Sequence, residues 1–252
     1  MRFVYIILTL AMISCMQKNE LRKPVQDPSV ILDSFQNFWS YYTTHIQLSS
    51  DFIGLDPSSN PIDKDEFLQN LITGNFLPVR LQSSQSTYYR LFKVDHWAEK
   101  DICNTIVDLA KVELANFEME NTLFPKFKFK DLNGVSYSNE LLKGKTTVLK
   151  LWFIGCQQCI EEIPSLNQLV DSYKTQKDIV FLSLALDPDD ALRRFLKGKK
   201  FDYATVGNQE SFIKNQLGVT IYPTHIIIDK EGKIIKVVNS YQELDRALKQ
   251  HS

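Results

Sequence analysis

Thr147-Val148-Leu149-Lys150-Leu151-Trp152-Phe153-Ile154-Gly155-Cys156-Gln157-Gln158-Cys159 is the stretch on which the fold turns. The near-continuous apolar run from Thr147 to Phe153 predicts a buried strand. It passes directly into a Cys-x-x-Cys that opens a helix predicted over 156–174. A thiol in that place faces unpaired backbone N–H groups and the positive end of the macrodipole, and both stabilise the reactive thiolate. Two intervening residues let one thiolate attack a disulfide while the other lies close enough to resolve the mixed intermediate. Half of a zinc ribbon has the same spacing, but it needs a second pair of Cys or His ligands. The remaining cysteines, Cys15 and Cys103, are distant, and His45, His96, His225 and His251 are scattered singly.

Outward from this stretch, 252 residues suffice for one large or two modest domains. A formal charge of −1 gives no electrostatic case for nucleic acid as a partner. The chain opens with Arg2 and an apolar run from Phe3 to Ile13, too short for a comfortable transmembrane helix. Ser14-Cys15 then resembles a bacterial lipobox, which implies a signal peptide over 1–14, lipid on Cys15 and a polar tether over 15–27. A folded part on the periplasmic side of the envelope, as a membrane-anchored lipoprotein, follows from that resemblance. Disulfide exchange is in demand there.

Residues 28–121 read as a small α/β or α+β domain without a catalytic constellation. Asp27-Pro28 predicts a helix start, followed by an aromatic stripe of Ile31, Phe35, Phe38, Tyr42 and Ile46 as core. A short helix over 66–72, strands over 76–81 and 88–94, and a helix over 96–119 follow. That last helix carries Cys103 as a buried structural thiol. Residues 122–252 alternate differently. A hairpin over 127–137 precedes the 147–153 strand and the helix after it. Further strands are predicted over 179–186, 224–228 and 233–238, with helices over 191–197, 210–217 and 241–249. Such alternation implies a mixed sheet covered on both faces.

Three features join the cysteines. Pro164 lies inside the predicted active-site helix, where it removes a hydrogen bond. Tyr222-Pro223-Thr224 leads into the strand from His225. Glu162 falls three positions after Cys159, on the same helical side. With these, the region from about Leu123 to His251 resembles the thioredoxin superfamily, and within it the TlpA/ResA family of membrane-tethered, extracytoplasmic thiol–disulfide oxidoreductases. The resemblance implies a thioredoxin-like α/β fold, a central mixed sheet flanked by helices. It implies Cys156 as exposed nucleophile, Cys159 as buried resolving thiol and Glu162 as a carboxylate that tunes them and can shuttle protons. Pro223 is implied to be cis, beside the disulfide. Trp152, Gly155, Tyr222, Pro223 and Thr224 are the implied substrate contacts, and Pro164 a modulating residue. No organic cofactor and no metal are called for. The implied partners are protein disulfides, such as apo-cytochrome c or misoxidised envelope proteins, and an upstream thiol reductant.

Lys150 departs from the family, since thioredoxins carry a buried aspartate at this strand position. Strand alternation puts Lys150 and Trp152 on one face. A buried lysine costs several kcal/mol unless paired, so Lys150 is expected to pair with Glu162 and favour the Cys159 thiolate. Gly155 stands where a tryptophan is common. Three rival readings remain: a copper module using Cys156, Cys159 and His225; a peroxiredoxin-like peroxidase, for which Ile154-Gly155 lacks the threonine before the cysteine; and a binding protein whose N-terminal domain carries the function.

Overall fold

The computed structural model describes residues 23–94 and 100–251. The expected signal peptide, Cys15 and His96 lie outside these residues. The chain divides into two compact units between Leu114 and Ala115, earlier than the boundary expected at residue 122.

The first unit contains helices α1 (Pro28–Ile31), α2 (Phe35–His45) and α3 (Lys64–Ile72), strands β1 (Ile53–Leu55), β2 (Pro61–Ile62), β3 (Phe76–Leu81) and β4 (Tyr88–Lys93), and most of α4 (Lys100–Met119). Its sheet runs β2-β1-β4-β3, with β1 parallel to β4 and the other pairs antiparallel. Asp27 caps α1 as expected, but the aromatic stripe is not one helix. Ser34 Oγ accepts the Asn37 N–H at 3.2 Å and starts α2 afresh. Consequently Phe35 is 40% exposed and stacks on Trp39 instead of entering the core, while Phe38 is fully buried. Cys103 is only half-buried on α4, where Ile102, Ile106 and Ala110 take the buried face. Strand β1 was not legible in advance because it holds three residues, one of them Gly54.

The second unit begins with the end of α4 and the hairpin β5 (Lys128–Lys130) and β6 (Ser136–Ser138), followed by α5 (Asn139–Leu142). Then come β7 (Thr146–Trp152), α6 (Gln157–Glu161), α7 (Ile163–Ser172), β8 (Ile179–Ala185), α8 (Asp189–Leu196) and β9 (Ala204–Val206). A five-residue π-helical turn, Phe212–Gln216, stands where an α-helix was expected, and Gly218 at φ +68° follows it. Strands β10 (Thr224–Ile228) and β11 (Ile234–Val238) and helix α9 (Tyr241–His251) complete the unit.

Its sheet runs β11-β10-β7-β8-β9, with β7, β8 and β9 parallel and β10 antiparallel to both neighbours. Strand β7 is central, which explains its apolar run: Val148 through Trp152 are each at most 1% exposed. Leu149 and Leu151 pack one face with Phe129, Leu182, Leu184 and Ile226. Val148 packs the other with Leu166 and Leu169 of α7 and Leu244 of α9. Further along that face, Trp152 joins Cys156, Cys159, Ala185 and Leu192. This is the thioredoxin-like arrangement, a mixed sheet between helices. Lys150 lies between Val148 and Trp152 on the helix-covered face.

Candidate redox site

Beyond Trp152 the chain leaves the sheet and is held by two bonds: Asp187 Oδ2 accepts the Ile154 N–H at 2.7 Å, and Trp152 O accepts the Leu186 N–H at 3.1 Å. Cys156 is the N-cap of α6. Its Sγ accepts the Cys159 N–H at 3.2 Å, so one of the helix's otherwise unpaired donors is aimed at the sulfur. Cys156 and Cys159 form a disulfide with Cα atoms 5.2 Å apart. Cys159 is fully buried and Cys156 is 7% exposed. The expected order of accessibility holds, but Cys156 is a nearly covered thiol rather than an exposed one. Phe153 and Tyr222, edge to face at 5.5 Å, both pack against the cluster that holds the pair.

The expected kink takes the form of a helix divided at Glu162. Its backbone remains in the right-handed helical region, while Pro164, near the start of α7, has no N–H to continue the hydrogen-bond ladder. Glu162, the C-cap of the disulfide-bearing helix, meets the expected partner: Lys150 Nζ donates to its Oε2 at 2.9 Å. Two further partners were not foreseen. His225 Nε2 lies 3.1 Å from the same Oε2, and the Tyr241 backbone N–H donates to Oε1 at 2.8 Å. Cross-strand register explains the first, since His225 is the β10 partner of Lys150 on β7 and the two share a face. Tyr241 is the first residue of α9, so the carboxylate occupies a helix N-terminus. One sequence signal pointed there: Ser240-Tyr-Gln-Glu243 is a capping box, with Ser240 Oγ donating to Glu243 at 2.8 Å.

The side chains of Lys150 and His225 are inaccessible, and that of Glu162 is 10% exposed. Burial pushes the Glu162 carboxyl up, but His225 and Lys150 together outweigh it and hold it at about 2. Burial lowers the pKa of Lys150 against the opposing pull of Glu162, and lowers that of His225 in the same way. Unfolding raises both the carboxyl (to 4.5) and the imidazole (to 6.5), so the unfolded chain binds more protons in acid and stability falls with pH. The His225 contribution is complete above pH 6.5 and declines below it; that of Glu162 declines from pH 4.5 toward about 2. Thermal midpoints measured against pH should drop in those two windows, and a profile that stays flat through both would refute the assignment.

The Tyr222–Pro223 peptide is cis, as expected. Tyr222 is half-buried and Gly155 exposed, so both can meet a protein substrate. Trp152 and Thr224 cannot, being fully buried and 1% exposed. Trp152 packs between Phe195 and Phe201 under the pair. Thr224 Oγ1 donates to Ile221 O at 2.7 Å and accepts from Asn239 Nδ2 at 2.8 Å. Asn239 also donates to Pro223 O at 3.0 Å and accepts from Asn116 Nδ2 at 2.7 Å. Asn239→Ala removes its bonds to Thr224 Oγ1, Pro223 O and Asn116 Nδ2 and should cost about 1–3 kcal/mol, read by chemical denaturation; a loss near zero would show that the loop does not depend on it.

Among the described residues, no three His, Cys, Asp or Glu side chains come together as a metal-binding set. His225 is engaged with Glu162 instead of joining the cysteines as the copper reading requires.

A strand that delivers a cysteine pair into a helix, in a mixed sheet whose next strand is entered through a cis-proline, is how thioredoxin-like proteins are built to exchange disulfides. The second unit is of that class. Residues 121–237 match the model of the AhpC/TSA family. The thiol-disulfide oxidoreductase ResA of Bacillus thuringiensis subsp. konkukian is 31% identical over 119 residues, 47% of this chain and 68% of the relative. ResA of Bacillus subtilis is 29% identical over 45% of this chain and 64% of its own. The thioredoxin domain of a thiol-disulfide oxidoreductase from Bacteroides vulgatus is 22% identical, covering 52% of this chain and 96% of that domain, with a TM-score of 0.48. The chain belongs to the ResA family of thiol–disulfide oxidoreductases.

Proposed function

We propose that this chain reduces protein disulfides outside the cytoplasm through Cys156 and Cys159, with the second unit, from Ala115 onward, as the redox domain and the first unit as a separate domain. The observation that carries this is the asymmetric pair: a disulfide at the N-cap of α6 with Cys159 sealed and Cys156 at the surface edge. In the reduced protein the Cys156 thiolate attacks one sulfur of a target disulfide, forming a mixed disulfide and releasing the other target sulfur as thiolate. Cys159, as thiolate, then attacks Cys156 Sγ. The mixed bond breaks, the target leaves fully reduced, and Cys156–Cys159 re-forms. Two electrons pass to the target, and an upstream thiol reductant restores the dithiol.

The substrate edge we assign is Gly155, Tyr222 and the Pro223 backbone; apo-cytochrome c and misoxidised envelope proteins are the candidate targets. Lipid on Cys15 would tether the chain, and among the described residues no helix is long and apolar enough to cross a membrane. Reduction of insulin disulfides by the full chain, wild type against Cys156→Ser, tests the reading. Peroxide consumption by the wild type would favour the peroxidase alternative instead.

A further inference from the structure

Glu162 is the carboxylate that the family resemblance makes a proton shuttle, yet its surroundings here suit it to the opposite role. Both its oxygens are engaged by donors of the protein: Lys150 Nζ and His225 Nε2 on Oε2, and the Tyr241 N–H on Oε1. A carboxylate that accepts three such bonds, one of them from an ammonium and one from a helix N-terminus, strongly favours the charged form. Taking up a proton would cost it at least one of them. His225 is differently placed. With Nε2 donating to Glu162 its neutral ring carries no proton on Nδ1, and that nitrogen is buried without a hydrogen-bond partner. The ring is wholly inaccessible, yet it holds an unused lone pair.

We propose that His225 is a positioning residue of the redox site: its Nε2–H, with Lys150, keeps Glu162 ionised at the end of the helix that carries the dithiol, and its own Nδ1 is where this buried cluster first takes up a proton on acidification. The proposal rests on Cys156 and Cys159 being the reacting pair. The charges that face the ring are Glu162 from the α6–α7 junction, Lys150 from β7 and Glu243 from α9. At neutral pH, Lys150 and Glu162 cancel and the imidazole adds nothing. When Nδ1 gains a proton, the three residues change from neutral to +1 on the sheet face that also carries Trp152 and the cysteines. A positive charge there favours thiolate over thiol. Glu162 therefore contributes a constant charge to the cysteines, and His225 the one that varies. Burial and Lys150 oppose this protonation while Glu162 and Glu243 assist it, with the balance placing it below the ordinary histidine range.

The test is the pH dependence of Cys156 alkylation in the reduced full-length protein, wild type against His225→Asn, alongside NMR of ring-labelled histidine in the wild type. Relative to its own rate near pH 8, the variant should be slower than wild type by about threefold to tenfold near pH 5, the change made by half to one unit of thiol pKa. The NMR should show His225 as the Nε2–H tautomer at neutral pH and a titration below 6.5. Superimposable alkylation profiles, a doubly protonated ring at neutral pH, or an Nδ1–H tautomer would each overturn the proposal. Should His225→Asn not fold, the tautomer and titration of the wild-type ring decide alone. Failure here is distinct from failure of the redox reading: the latter is marked by insulin reduction that survives Cys156→Ser, whatever His225 does.

Discussion

Cys156→Ser should bring insulin reduction down to the rate of the thiol reductant alone, a loss of at least about 100-fold. The magnitude follows from what is removed. Cys156 is the only residue of the pair with any exposure, at 7%, so a target disulfide cannot reach Cys159, which has none. A serine hydroxyl in its place neither ionises near neutral pH nor forms a disulfide, so both halves of the exchange stop. Cys103 is no substitute: it is half-buried, and burial pushes its thiol up, away from the thiolate. Cys159→Ser should differ in kind. It retains the attacking thiol, so mixed disulfides should accumulate and be visible on a non-reducing gel. Retained turnover in Cys156→Ser would refute the mechanism outright.

Lys150→Ala should destabilise the second unit by about 3–5 kcal/mol at neutral pH, the usual loss when one partner of a buried ion pair is deleted. The charge left behind is Glu162, whose side chain is 10% exposed and lies at a site closed on one side by His225 and on the other by α9. The penalty should therefore relax in acid as the carboxyl protonates. Lys150→Met combined with Glu162→Gln removes both charges while approximating the volumes, and should recover most of the loss, since well-packed neutral replacements of buried pairs are often neutral or better. Chemical denaturation of the two variants reads all of this. A Lys150→Ala protein within about 1 kcal/mol of wild type would mean that the ammonium is dispensable to the fold. The cysteine pKa values in Lys150→Met then show whether it also acts on the chemistry.

Much of this site could be read from local sequence. The strand into Cys156 and the hairpin before it follow from short-range pattern, the cis proline was implied by the family resemblance, and the Lys150–Glu162 pair by strand alternation together with that resemblance; each is present. What escaped depends on which distant segments meet. His225 and Tyr241 reach Glu162 across separations of 63 and 79 residues, and Asn116 reaches Asn239 across 123. No periodicity in one segment reports the register of another. Burial was misjudged for a related reason: Trp152 and Thr224 adjoin reactive elements in sequence, but the sheet turns both side chains inward. In the first unit the stripe from Ile31 to Ile46 had helical spacing throughout, yet Ser34 offered a better cap than a continuous helix could use.

Asn116 stands in the last turns of a helix that the sequence pattern assigned to the preceding domain, and Glu120 just beyond it bonds Lys236 Nζ at 3.3 Å. A fragment cut where the composition changes, at residue 122, would therefore be a damaged one. It would lack the amide that orients Asn239, and through it the Pro223 carbonyl, together with the carboxylate that accompanies a lysine of β11. Low activity in such a fragment would measure the place of the cut rather than the chemistry of the cysteines. Anyone isolating this unit should begin it no later than Ala115.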